Sequence, residues 1–151
     1  MRWEDLHDNQ CAMARALSVV GDRWTLLVVR EAFLGTCRFD EFCHNVGAAR
    51  HIIANRLAAL VEADILQRVP LAPESRRQSY ELTPKGRDLL PVVISLLQWG
   101  EKWAGPQLAS PLRFLHEDGG TVTPELICDT CQSPTHPADL HPAFLPPASP
   151  A

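Results

Sequence analysis

The stretch of residues 38–82 constrains the fold of this chain more than any other part of the sequence. Residues 39–46 are predicted to form a helix, and Gly47 follows where a tight turn favours a glycine. A longer segment with helical periodicity comes next. Two strand-like runs, 65–70 and 79–82, then enclose a tip that contains proline and arginine. The sequence therefore predicts helix, tight turn, helix and β-hairpin, in that order.

The second helix of this stretch has an apolar stripe and a small, polar face. The stripe recurs at helical spacing, so it is predicted to face a core. The opposite face is mostly small, with hydrogen-bonding groups near its start, and such a face can approach DNA base edges closely. An ordinary amphipathic surface helix is the alternative. The stripe is Ile53, Leu57, Leu60, Val61 and Ile65; the opposite face is His51, Asn55, Ala58, Ala59 and Glu62, with Ile52 and Arg56 at its edges.

Helix, turn, helix and hairpin in this order are typical of winged DNA-binding domains, in which the second helix enters the major groove. Arginines on the first helix and the hairpin then contact phosphates or enter the minor groove. The candidates are His51, Asn55 and Arg56 for base edges and nearby backbone, Arg50 at the helix start, Arg38 for phosphate, and Arg76 and Arg77 at the hairpin tip. The alternative for Arg50 and Arg56 is an ion pair with Glu41 or Glu62. The alternative for Arg76 and Arg77 is that water solvates them and they do not contact DNA.

The net charge of −4 does not exclude nucleic acid, because it is unevenly distributed. Residues 1–104 contain 13 Lys and Arg and 13 Asp and Glu, whereas residues 105–151 contain 1 and 5. Between residues 49 and 80, five arginines stand against three acidic residues. DNA binding depends on such a local basic face rather than on the global charge.

Helices are also predicted on both sides of this stretch. Residues 11–20 are predicted to form a short helix that ends at Gly21. Residues 23–34 form a second helix that Asp22 caps and Gly35 ends. After the hairpin, Thr83 and Pro84 start a long helix that runs to about residue 104. Its apolar arc is wider than one core face requires, which predicts that a second chain covers the remainder, with packing under the C-terminal residues as the alternative.

After residue 104 the composition changes, and nine of the 13 prolines lie in residues 105–151. A hairpin is predicted around residues 119–120, and residues 134–151 are predicted to be frayed or disordered. We therefore expect residues 1–104 to form a DNA-binding and dimerisation domain. Residues 105–151 are expected to form an extension with a hairpin and a CxxC turn.

Several segments form a specific set in their order and spacing, although each is common alone. They are Cys11 before a short helix and residues 21–27, 38–42, 47–50, 55–57, 60–63, 80–86 and 97–100. In this respect the chain resembles the HxlR family of bacterial winged helix-turn-helix transcriptional regulators, over roughly residues 11–104.

The resemblance implies a mainly α-helical winged fold and a homodimer joined through the N-terminal helix and the long helix after the wing. Each recognition helix is then expected to read one half-site of a palindromic operator, in a sequence-specific transcriptional regulator that acts as a repressor. Three residues depart from the family pattern. Ala48 and Ala49 stand where a β-branched residue and a small polar cap are common, and Asp64 stands where glycine is usual.

The five cysteines are odd in number and irregularly spaced, unlike a disulfide framework. Some members of the family sense electrophiles or oxidants through a cysteine just before the first helix, and Cys11 matches that position. The resemblance thus makes Cys11 a candidate redox sensor and an oxidant or small molecule a candidate effector. A packing role for Cys11 is the alternative.

Cys128 and Cys131 form a CxxC, which supplies two of the four ligands that a structural zinc site needs. Nearby histidines (His116, His136 and His141) could complete a site, but the cysteine of the family's His-x-x-Cys-Gly pattern is absent. We therefore assign no metal, and we interpret Cys128 and Cys131 as two thiols that close a turn. Zinc bound to these two cysteines is the alternative. A thioredoxin-type role needs a βαβ setting, which this part of the sequence lacks.

No Gly-rich phosphate loop, nucleophile elbow or carboxylate pair in a plausible pocket points to an enzyme. No apolar run approaches the roughly 18 residues of a transmembrane helix, and the N-terminal residues lack signal-peptide character, so a cytoplasmic location without membrane contact is expected. The competing function is a winged protein-interaction module without DNA binding. The clustered arginines on the helix and the wing argue against it.

Overall fold

A computed structural model of the chain describes residues 11–72, 77–105 and 110–143. The chain divides into two compact units, Met1–Gln98 and Trp99–Ala151, and each is described by itself. The predicted fold class, mainly α-helical with a two-stranded wing, is confirmed. Across the ranges that the structure describes, every helix is too short or too polar to cross a membrane.

The helices and strands follow the predicted order. They are α1 (Ala12–Val20), α2 (Thr25–Phe33), α3 (Phe39–Val46), α4 (Arg50–Glu62), β1 (Leu66–Pro70), β2 (Gln78–Leu82), α5 (Pro84–Arg87), α6 (Leu90–Trp103) and a 3-10 helix (Pro137–Asp139). Strands β1 and β2 pair antiparallel, with Leu66 opposite Leu82 and Pro70 opposite Gln78. They and their connecting tip form the wing.

The core of the first unit lies between α2, α3, α4 and the wing. Ile53, Leu57 and Leu60 of α4 are buried, as their spacing predicts. Phe42 of α3 is fully buried and meets the ring of Tyr80 on β2 edge-on, with ring centroids 6.2 Å apart. This pair joins the helix-turn-helix to the wing. Val28, Val29 and Leu66 are fully buried as well.

Two residues with positive φ shape the ends of α3 and α4. Gly47 ends α3 with φ 71°, which confirms it as the turn residue. Asp64 follows α4 with φ 57°, a left-handed conformation that suits the glycine usual in the family at this position. Its carbonyl accepts a hydrogen bond from the Thr83 hydroxyl at 2.6 Å, and Lys85 Nζ donates to the Ala63 carbonyl at 2.7 Å. These side chains satisfy carbonyls that the end of a helix leaves without partners.

Helix α2 begins later than predicted, at Thr25 instead of residue 23, and ends at Phe33. The Asp22 carboxylate accepts from the Trp24 N–H at 2.9 Å, and the Asp22 carbonyl accepts from the Thr25 N–H at 3.1 Å. Asp22 therefore forms a turn before the helix instead of capping its first residue.

The prediction of one long helix after the wing is wrong at one point, because residues 88–89 form a turn between α5 and α6. The predicted start is confirmed, since the Thr83 hydroxyl accepts from the Gly86 N–H at 3.0 Å. Pro91 explains the break. Its nitrogen has no hydrogen to donate to the Arg87 carbonyl, and its ring crowds that carbonyl.

The predicted hairpin in the second unit is reduced to a single β-bridge, between Leu115 and Thr121. Pro124 cannot donate a ladder hydrogen bond, which limits pairing on that side. A second bridge, between Ile127 and Pro134, encloses the CxxC. Residues 134–143, predicted to be frayed, contain the 3-10 helix, and residues 144–151 lie outside the described part of the chain.

Candidate nucleic-acid interface

The outward face of α4 is small and polar, as its sequence predicts. His51, Asn55, Ala58 and Ala59 are exposed on it. The N-cap residue, Ala49, makes no side-chain cap hydrogen bond, as expected. The first N–H groups of α4 therefore have no acceptor from an N-cap side chain, and such groups suit an incoming phosphate oxygen.

Arg50, at the start of α4, is held by two residues of α3. Its Nη1 donates to Asp40 Oδ1 at 2.7 Å, and its guanidinium lies 4.8 Å from the centre of the Phe39 ring. The hydrogen bond to the Asp40 carboxylate raises the pKa of Arg50 above its usual value. The observed partner is thus Asp40 instead of a predicted glutamate. No local spacing indicates it, because ten residues separate the two.

Arg56, on the edge of α4, faces the start of α2. Its Nη1 lies 3.5 Å from Asp22 Oδ2, and each side chain is about one third exposed (31% and 35%). Both residues line a cleft of about 470 Å³ together with Gly21 and Arg23. Arg23 is an exposed cation beside the recognition helix that its sequence position alone did not single out.

The structure brings Arg38 and Arg77 together at the junction of α3 and the wing. Both line a cleft of about 360 Å³ with Phe39, Asp40, Leu71 and Gln78. The Arg38 N–H donates to Glu41 Oε2 at 3.2 Å, so the Glu41 carboxylate stabilises the start of α3. Arg76, the other predicted tip residue, lies outside the described residues.

The wing is fixed to the segment before α3. The Tyr80 N–H donates to the Cys37 carbonyl at 2.8 Å, and the Leu71 N–H donates to the Arg77 carbonyl at 3.0 Å. Arg68 of β1 is exposed, and its guanidinium lies 5.9 Å from the centre of the Tyr80 ring. The wing base therefore has a fixed position relative to α3 and α4, while its arginines remain at the surface.

A buried carboxylate holds α3 against α2. Glu31 is 5% exposed and accepts hydrogen bonds from Arg30 (2.8 Å), Asn45 (2.9 Å) and Thr36 (3.1 Å). Asn45 also donates to the Thr36 hydroxyl at 3.1 Å. A buried charge is tolerated when donors surround it in this way. The network sets the position of α3, and through Gly47 that of α4.

The Cys11 thiol is exposed at the N-cap position of α1. The backbone N–H groups of Ala14 and Met13 at the start of α1 lower the pKa of Cys11, with a smaller contribution from the positive charge of Arg15. These are the surroundings in which a thiol gains thiolate character near neutral pH. Cys37 and Cys43 are half-buried.

In the second unit, Cys128 is half-buried and Cys131 is exposed. The backbone N–H groups of Cys131 and Thr130 lower the pKa of Cys128, with smaller contributions from the side chains of the same two residues. Within the described ranges, no three His, Cys, Asp or Glu side chains lie close enough to hold a metal ion.

Two helices expose apolar side chains. Helix α1 has no buried residue, and Met13 on it is 70% exposed. On α6, Leu96, Trp99 and Trp103 are 50%, 58% and 66% exposed, although Val93 and Ile94 are buried. The predicted apolar arc of α6 is therefore divided between a buried side and an exposed side.

Known proteins are similar to this chain over most of its length or over its helix-turn-helix and wing. A family model described as HxlR-like helix-turn-helix matches residues 19–108. The chain is 40% identical over 121 residues to the HTH-type transcriptional regulator Rv3095 of Mycobacterium tuberculosis, covering 80% of this chain and 77% of that protein. The crystal structure of PA1607, a candidate transcription factor, matches with a TM-score of 0.78 at 38% identity, over 91% of this chain and 96% of that one. The reduced form of the redox regulator HypR matches with a TM-score of 0.56 at 26% identity, over 61% and 92% of the two chains.

Proposed function

The chain belongs to the HxlR-like helix-turn-helix family of DNA-binding transcriptional regulators, and on this premise we propose that it is a repressor that binds a palindromic operator as a homodimer. Helix α4 of each protomer lies in the major groove of one half-site, with the wing beside it. Bound in this way, the dimer occupies promoter DNA and blocks polymerase. The proposed DNA-binding and dimerisation domain spans residues 1–104, and residues 105–151 form the extension.

The exposed, small face of α4 is the observation that carries this proposal. His51 and Asn55 present hydrogen-bonding groups there, and Ala58 and Ala59 leave room for base edges. Asn55 suits a bidentate contact with adenine, and Arg56 at the edge of the face suits bases or nearby backbone. Reading bases with Arg56 requires that it leave Asp22.

Phosphate contacts are proposed for the arginines that surround α4. Arg38 and Arg77 line one cleft at the base of the wing, so a single stretch of DNA backbone can meet both. Arg76 belongs to the same wing tip by its sequence position. Arg50 joins them once its exposed pair with Asp40 opens, because a phosphate can replace that carboxylate.

The exposed apolar residues of α1 and α6 support the homodimer. Exposed tryptophans and leucines of this kind on one helix are typical of surfaces that another chain covers. A twofold axis between two copies of the chain would place one recognition helix at each half-site of a palindromic operator.

Sedimentation of the full chain tests the homodimer. Wild type is expected to be a dimer at micromolar concentration, and the double substitution Leu96→Asp with Trp103→Asp is expected to give monomers. The matched control is Ser95→Asp, an exposed polar position on the same helix, which should stay dimeric. A folded wild-type monomer at that concentration would contradict the proposal.

A second proposal makes the regulator responsive to electrophiles or oxidants through Cys11. The exposed thiol and its pKa, lowered by backbone N–H groups at the start of α1, favour it, and HypR, a structural neighbour, is a redox regulator. Modification near a dimer interface can shift the spacing of two recognition helices. Operator affinity should change after stoichiometric diamide treatment of wild type but not of Cys11→Ser. An equal response of both proteins, or of neither, assigns Cys11 to packing.

A protein-interaction module without DNA binding is the competing function, and salt dependence separates the two. Binding to random duplex DNA should weaken steeply as salt rises, because arginines on phosphates displace counterions. A flat salt dependence would favour the interaction module.

A further inference from the structure

The CxxC turn (residues 128–131) has a defined geometry that DNA binding does not use. The Cys128 N–H donates to the Ser133 carbonyl at 3.0 Å, and the Gln132 N–H donates to the Cys128 carbonyl at 2.8 Å. Gln132 has φ 57°, and the β-bridge between Ile127 and Pro134 closes the loop. These bonds hold the backbone on both sides of the two cysteines.

The two thiols of this turn are not equivalent. Cys128 is half-buried, whereas Cys131 is exposed. The backbone N–H groups of Cys131 and Thr130, with smaller contributions from the side chains of the same two residues, lower the pKa of the Cys128 thiol. Donors of this kind stabilise a thiolate, as a helix N-terminus does in a thioredoxin-type site. Cys128 is therefore suited to attack, and Cys131 to act second.

We propose that Cys128 and Cys131 form a thiol–disulfide exchange site whose substrates are low-molecular-weight disulfides. The site belongs to the second unit, whereas Cys11 and the residues proposed to contact DNA belong to the first. In this turn, backbone N–H groups stabilise the thiolate, as the start of a helix does in the βαβ setting of a thioredoxin-type site. Thiol–disulfide exchange at this turn therefore does not require a βαβ setting.

The exchange has two balanced steps. The Cys128 thiolate attacks one sulfur of a disulfide RSSR, and a Cys128–SR bond forms as the S–S bond breaks and one RS⁻ leaves. Cys131 then loses its proton and attacks Cys128 Sγ, which releases the second RS⁻. The two thiolates that leave are protonated by water or by the protons lost from the cysteines. The protein loses two electrons to form the Cys128–Cys131 disulfide, and RSSR gains them as two RSH.

The ligand count favours this chemistry over a structural metal. A closed zinc site needs four ligands, and the described parts of the chain bring no third His, Cys, Asp or Glu to the pair. Metal binding is therefore an outcome of the test that would overturn the proposal.

The test treats the reduced full-length protein with oxidised glutathione near neutral pH and maps its cysteines by mass spectrometry. In wild type, the Cys128–Cys131 disulfide should form with release of reduced glutathione, faster than any modification of half-buried Cys37. Cys131→Ser should instead retain one glutathione on Cys128, because the second thiol is missing. Cys128→Ser should exchange more slowly, by about threefold for each tenfold loss of thiolate fraction, since nucleophilicity partly compensates. Cys43→Ser is the matched control and should behave as wild type.

Three results would overturn the proposal. They are glutathione that persists on wild-type Cys128, a turn that reacts no faster than Cys37, and a purified protein whose Cys128 and Cys131 react only after a chelator removes a bound zinc ion. The wild-type mapping alone decides the first two, so the outcome does not depend on the folding of any variant. DNA binding is measured separately, and its failure would leave this result unaffected.

Discussion

Replacing Phe42 by alanine is expected to destabilise the protein strongly, because this ring joins the helix-turn-helix to the wing. Phe42 is fully buried in α3 and packs edge-on against Tyr80 of β2 at 6.2 Å. Truncation removes the ring from the core and leaves a cavity between α3 and β2. It also removes the aromatic pair.

The size of the effect follows from these two contributions. Removing a buried phenylalanine costs about 3–5 kcal/mol through lost burial and the cavity. The edge-on pair contributes about 0.5–1.5 kcal/mol of that stability beyond its burial. Because the total stability of a domain is about 5–15 kcal/mol, Phe42→Ala should remove a large fraction of it. Phe42→Leu keeps most of the apolar volume and should cost clearly less.

Urea unfolding of Phe42→Ala, Tyr80→Ala and the double variant measures both contributions. The double variant should be more stable than additivity predicts, by about 0.5–1.5 kcal/mol, because the first substitution already removes the pair. Phe42→Leu is the control for volume. A loss below about 1 kcal/mol for Phe42→Ala, or additive losses in the double variant, would refute this description of the core.

Three further predictions concern DNA binding, each measured by fluorescence anisotropy. Asn55→Ala should lose about 1–3 kcal/mol of discrimination per half-site between operator and random duplex, and equal weakening on both would show that Asn55 does not read bases. Asp40→Asn should tighten binding and steepen the slope of log affinity against log salt concentration by about 0.9 per half-site, because it frees Arg50 for a phosphate. If Asp40→Asn gives the same gain in an Arg50→Ala background, the gain comes from the lost Asp40 charge and not from Arg50. Arg76→Ala with Arg77→Ala should weaken binding to every duplex and flatten the salt dependence by about 0.9 per lost phosphate contact, whereas an unchanged slope would place the wing away from DNA.

The helix-turn-helix and wing could be predicted from sequence because their signals are local. Gly47 ends α3 at the predicted residue, and the spacing of Ile53, Leu57 and Leu60 identifies the buried side of α4. The positive φ of Asp64 follows from its position after a helix whose next residues enter a strand. Each feature depends on neighbours within a few residues, which sequence spacing reports directly.

The remaining features depend on contacts between distant segments or on competing local signals. The pairing of Arg50 with Asp40, and of Arg56 with Asp22, depends on how helices pack, and periodicity carries no information about it. The break before α6 had a signal in Pro91, which the continuous apolar pattern of the long helix concealed.

Residue type and position in the sequence indicate the side chains that are proposed to contact DNA. The structure describes the surroundings of six of the seven candidates, Arg38, Arg50, His51, Asn55, Arg56 and Arg77. Their roles in binding remain predictions, because they depend on DNA.

Footprinting on the genomic fragment that the full-length protein selects tests the central claim most directly. Two protected blocks should appear, related by twofold symmetry and with centres about one helical turn apart, roughly 34 Å or 10–10.5 base pairs. This pattern requires two recognition helices held by one dimer. A single unsymmetrical block, or no protection at a salt concentration where the protein remains folded, would contradict the account.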